Sequence, residues 1–133
     1  MHQDECCDAA RAAPDSPPRV YACGDGVVVE LHGEIDLVGH QRAAPVLDPV
    51  TSGDARTVVI DLTHVTFIDC SCLTLLMRAW RRVTSRGARL RVVCADRMAL
   101  HLMSITGLRV TLAPVATVDE ALGRPAPRAR RGA

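Results

Sequence analysis

At 133 residues and a formal net charge of +1, the chain has room for one domain with a modest core, and its charge leaves no footprint for direct contact with nucleic acid. Apolar residues make up 48% of it, yet Tyr21, Phe67 and Trp80 are its aromatics, so the core must be built from Val, Leu, Ile, Ala and Met. No apolar run approaches the ~18–20 residues of a membrane-spanning helix, and the acidic start Met1-His2-Gln3-Asp4-Glu5 argues against a secretory signal, which makes a cytoplasmic protein the expectation.

Residues 1–17 are small and polar and read as a flexible arm. Arg19 to Cys23 is a strand, Gly24-Asp25-Gly26 a hairpin turn, and Val27 to His32 a second strand ending at Gly33. Asp36 offers the N-cap of a helix running towards Leu47. Gly39 weakens that helix and Pro45 removes a backbone donor, so a break near Ala44 is expected, with Asp48-Pro49 outside the regular part. Thr57 to Leu62 is a continuous apolar run, as in a strand covered on both faces. A polar loop containing His64 follows, and Asp69 then caps a helix over 70–86. On it Leu73, Leu76, Met77, Trp80 and Val83 make an apolar stripe, with Ser71, Thr74, Arg78 and Arg81 opposite.

Arg89 to Cys94 is the next strand. Asp96 caps a helix with Met98, Leu102 and Ile105 on one side, ending at Gly107. Leu108 to Leu112 reads as a last short strand, and Thr117-Val118-Asp119-Glu120 has the capping-box spacing for a final helical turn. Beyond it, residues 123–133 are an Arg-rich flexible tail. Strand–helix alternation after an opening hairpin predicts an α/β domain with a mixed, mostly parallel sheet and helices packed on it.

The six cysteines come without an export signal, so reduced thiols are expected and not a disulfide framework. Their C-C and C-x-C spacings do not match structural zinc sites, and no metal or other cofactor is expected. The histidines His32, His40, His64 and His101 fall in separate elements with no nucleophile at a motif spacing, and His64 is expected to be exposed. No catalytic constellation emerges, which points away from an enzyme.

Three segments resemble the STAS domain family, and in particular its small bacterial anti-sigma-factor antagonists. The run from Asp61 to Leu73 resembles D-L-S-x-V-x-F-I-D-S-S-G-L. Leu31-His32-Gly33-Glu34-Ile35-Asp36 resembles L-x-G-E-[LI]-D, and Ile105-Thr106-Gly107-Leu108 resembles [MI]-[ST]-G-L. The likeness runs from about Val20 to Leu122, within a domain bounded at 18–122.

The resemblance implies a STAS fold and a partner-switching role. Such an antagonist binds an anti-sigma factor that is also a serine kinase, frees a sigma factor, and is inactivated by phosphorylation of a Ser at a helix start. Here the usual acceptor position is Cys70 and the motif Gly is Cys72, so Ser71 is the candidate phosphoacceptor. The expected partner surface joins Asp36, Asp69, Cys70, Ser71, Cys72, Thr74 and Arg78. A thiol at a helix N-terminus can also favour its thiolate, so redox control at Cys70 stands beside phosphorylation. The alternative is a STAS scaffold or thiol-regulated binder that no kinase modifies. Oligomeric state is left open.

Overall fold

The computed structural model describes residues 17–123; the expected arm and tail lie outside it, apart from Pro17 and Gly123. β1 (Arg19–Cys23) and β2 (Gly26–Ile35) form the expected antiparallel hairpin, with Arg19 opposite Glu30 and Cys23 opposite Gly26. β3 (Thr57–Ile68) and β4 (Arg89–Val93) add in parallel, giving the strand order β1-β2-β3-β4. Parallel neighbours need crossovers, and these are α1 (Leu37–Thr51) and α2 (Cys70–Ser85). α3 (Arg97–Ile105), α4 (Leu108–Leu112) and α5 (Val118–Ala121) complete the chain.

Side chains alternate across each strand, and both faces are used. Val29, Leu31, Val58, Ile60, Leu62, Leu90 and Val92 pack with Ala43 and Leu47 of α1 and Leu73, Leu76 and Val83 of α2 in the main core. Val28, Val59 and Val93 meet Ala121 of α5, flanked by Tyr21, Val115, Val118 and Leu122. The two crossover helices are also joined by charge. Arg78 and Arg82 of α2 reach Asp48 of α1 at 3.2 and 3.4 Å. Past the end of α2, Arg86 donates from Nε to the Thr51 carbonyl and from Nη1 to the Ala55 carbonyl, both at 2.8 Å.

Three sequence expectations need correction. α1 does not break near Ala44: it runs through Pro45 and Pro49 to Thr51. Both prolines are exposed, so the ladder bonds they lack are lost on the solvent side, where water reaches the freed carbonyls. β3 does not stop at Leu62 but reaches Ile68, because β2 also continues past Gly33 to Ile35 and keeps a partner beside it.

Leu108 to Leu112 is a helical turn, not a strand. Gly107 and Ala113 bracket it in left-handed conformations with φ of 79° and 43°, and the sheet takes instead a single parallel bridge from Val115 to Val93. On α3 the buried residues are Ala99 and Met103. Met98 and Ile105 are largely exposed and, with Phe67 and Leu102, line an apolar groove of about 430 Å³.

Candidate functional site

The C-terminal ends of β2 and β3 finish side by side, with Ile35 paired to Ile68. One residue on, each chain segment meets an aspartate and turns into a helix. Asp36 accepts the Gly39 N–H at 3.0 Å, and Asp69 accepts the Ser71 N–H at 2.8 Å. Each carboxylate thereby satisfies one of the unpaired donors of a helix start. A third bond ties the two starts together: His40 Nδ1 lies 3.0 Å from the Ser71 carbonyl oxygen. A carbonyl can only accept, so Nδ1 carries the hydrogen and His40 is the donor.

Around these caps the residues named from sequence separate by burial. Cys70 is exposed and Ser71 half-buried, while Thr74 and Arg78 face solvent. The Thr74 hydroxyl donates back to the Cys70 carbonyl at 3.1 Å, and Arg78 is engaged with Asp48. Cys70, Thr74, Met77, Arg78 and Arg81 line one wall of an open depression of about 510 Å³, with Thr106 across from them.

Cys72 departs from the expected surface. Its side chain is fully buried, so it packs in the core and presents nothing to a partner. Burial, helped by the neighbouring Cys94 thiol and the Asp69 carboxylate, pushes its pKa from the ordinary 9.0 up to about 12. Cys94 is raised too, mainly by desolvation. Both, with Cys23 and Cys70, are free thiols.

Sequence reasoning missed two features here. Leu37, Val38 and Phe67 are 62%, 57% and 52% exposed, giving the capped turns an apolar rim. The first two could have been found, since they lie in the first turn of α1 outside the spacing of Ala43 and Leu47. The second is His40, whose link to Ser71 joins residues 31 apart and leaves no signal in local sequence.

His64 was expected to be exposed in a loop; it is a half-buried residue of β3. Its ring stacks on that of His32 with centroids 5.4 Å apart, and its Nε2 lies 3.7 Å from Glu30 Oε2. Among the described residues no group of three or more His, Cys, Asp or Glu side chains is arranged to hold a metal ion. No helix among them is long and apolar enough to cross a membrane.

A family model for the STAS domain matches residues 18–121. An anti-sigma factor antagonist from Mycobacterium paratuberculosis is 28% identical with a TM-score of 0.70, over 84% of this chain and 96% of its own. SpoIIAA, a Bacillus cell fate determinant, in its phosphorylated form is 18% identical with a TM-score of 0.62, over 80% and 96%. A sulfate transporter family protein from Wolinella succinogenes is 16% identical with a TM-score of 0.64, over 84% and 93%. The last two likenesses carry the fold alone. No curated protein matches the chain. With the family model spanning nearly all the described residues, the chain belongs to the STAS domain family.

Proposed function

We propose that this chain is an anti-sigma-factor antagonist: a cytoplasmic, non-enzymatic binding protein that engages an anti-sigma factor of the serine-kinase type and so frees a sigma factor for transcription. The observation that carries the reading is the union of two capped helix starts into one exposed surface, in a chain 28% identical to an anti-sigma factor antagonist. The partner docks across Asp36, Asp69, Cys70, Ser71, Thr74 and Arg78, with Leu37, Val38 and Phe67 as the apolar rim that gains from burial. Ser71 is the residue a kinase partner modifies. A phosphate there adds roughly −1.5 to −2 charges. The N-terminus of α2 tolerates such an anion, while the docked partner meets repulsion and a desolvation cost.

One observation favours a second reading. The position where the family motif carries its usual acceptor holds the exposed thiol of Cys70, which suits a binder that no serine kinase modifies. Incubation with candidate anti-sigma kinases of the same genome and ATP, followed by intact mass and site mapping, separates the two. A stable complex and one phosphate on Ser71 support the first. A stable complex without phosphate supports the second, and neither complex nor phosphate with any candidate overturns both.

A further inference from the structure

The half of the second sheet face beyond α5 is polar, and it gathers ionisable groups from three strands. Glu30 of β2 and Asp61 of β3 are register partners and both are buried. His32 and His64 are the next partners along the same ladder, stacked within 10° of parallel. Both rings lie near one carboxylate: His32 Nε2 is 3.1 Å from Glu30 Oε1, a buried atom without a hydrogen-bond partner among the described residues, and His64 Nε2 is 3.7 Å from Oε2. Arg19 of β1 approaches Oε1 at 3.9 Å. Asp61 accepts from the Thr63 amide at 2.9 Å and from its hydroxyl at 2.5 Å. β4 places only the apolar Val93 opposite Asp61. Beyond the stretch of β2 paired with β1, His32 shares a small cavity with Glu34 and with Arg42 of α1.

Two carboxylates against the Arg19 guanidinium leave one negative charge when both imidazoles are neutral. One proton on the pair cancels it. A second proton sets two cationic rings face to face in a largely buried site, where like charges are weakly screened. The ring pair also sits at a mechanical weak point. The β2–β3 ladder slips between Glu30 and His32 and again between Gly33 and Glu34, and bulged segments hold fewer ladder bonds. Beyond the second slip come Ile35 and Ile68, then Asp36 and Asp69.

We propose that Arg19, Glu30, Asp61, His32 and His64 form a proton-linked switch within the sheet. One shared proton holds the β2–β3 ladder in the observed register. A second parts the stacked rings and shifts the bulged strand ends that carry the Asp36 and Asp69 caps. The switch acts on the helix starts whatever they bind; its consequence for an anti-sigma factor rests on the function proposed above.

The test is an NMR titration of the free protein between about pH 8 and 5, the range in which imidazoles change charge. It follows the His32 and His64 rings together with the amides of Gly39 and Ser71, which donate to the two caps. The expected result is a shift of both amides in step with the His64 ring. That shift is retained in His40→Gln, which removes the direct histidine contact to Ser71. It is lost in His64→Phe, which keeps a stacked ring but takes no proton. Amides that stay still while His64 titrates overturn the proposal, as does a shift lost in His40→Gln. These two outcomes need only the wild type and His40→Gln, so the decision stands even if His64→Phe does not fold. No partner is present, so a failure here is separate from a failure of the proposed function.

Discussion

Between Cys70 and Cys72 the chain passes from solvent into the core, and the two thiols diverge in chemistry. Cys70 is open to reagent, whereas Cys72 is enclosed and held protonated to about pH 12. Alkylation of the folded protein at pH 8 is expected to label Cys70 and to spare Cys72 until denaturant is added, as read by peptide mapping; equal labelling of both contradicts the burial. The same shift has a stability consequence. The folded pKa of Cys72 lies above the ordinary 9.0, so its contribution is intact below about pH 9 and declines as pH rises towards 12. Denaturant unfolding at pH 8 and pH 10 is expected to show a loss about 1 kcal/mol larger in the wild type than in Cys72→Ala, which keeps the part due to the raised Cys94 thiol.

Gly39 is decided by a single contact as well. The sequence marks it only as a weak spot in a helix, but a Cβ there would lie 2.3 Å from the Glu34 carbonyl oxygen. That atom is backbone and cannot swing aside, so the glycine lets α1 begin tight against the end of β2. Gly39→Ala is expected to cost about 1–3 kcal/mol in denaturant unfolding, although Ala is the better helix former by ~1 kcal/mol. A stabilised variant contradicts this close approach.

At the scale of elements, legibility followed the strength of local signals. α2 was readable because its apolar stripe is long and Asp69 stands in front of it. α3 was readable from Asp96, which accepts the Ala99 amide at 2.9 Å, and α5 from Thr117, which accepts from Glu120 at 3.1 Å. Leu108 to Leu112 misled because five residues with Val and Thr satisfy strand propensity, while half-buried Leu108 and buried Leu112 sit at the i, i+4 spacing of a helix. The Glu30, His32 and His64 cluster was not readable, since it depends on a β2–β3 register that slips twice. Neither strand announces those slips.

α1 shows the reverse failure, a local rule overridden by packing. Ala43, Leu47 and Thr51 are buried along one side, and that seam holds the helix together across two prolines on the other. Replacing Pro45 by Ala restores a ladder donor and removes a steric conflict without touching the core. The expected gain is about 1–3 kcal/mol, seen as a rise in thermal midpoint; an unchanged or lower midpoint means that Pro45 is already accommodated at no cost.

At the scale of the molecule, the parallel β2–β3 pair is what makes a surface. Two strands that end together deliver two helix starts to one place, and the carboxylates of Asp36 and Asp69 fix both. The sheet face behind them carries the histidine pair, so a change there has a short path of bulged backbone to the caps. The fold and the caps were within reach of sequence reasoning. The burial of Cys72 and the link from His40 to Ser71 were not, because both arise from how α1, α2 and β4 come together.

The function proposed above places an anti-sigma factor on the paired helix starts. Calorimetric titration of an anti-sigma kinase of the same genome with the wild type and with Ser71→Asp tests it most directly. Binding by the wild type is expected, with a loss of about tenfold or more in affinity for Ser71→Asp and the thermal midpoint of the variant unchanged. Equal affinity for the two proteins, both folded, would contradict it and remove this surface from the interface.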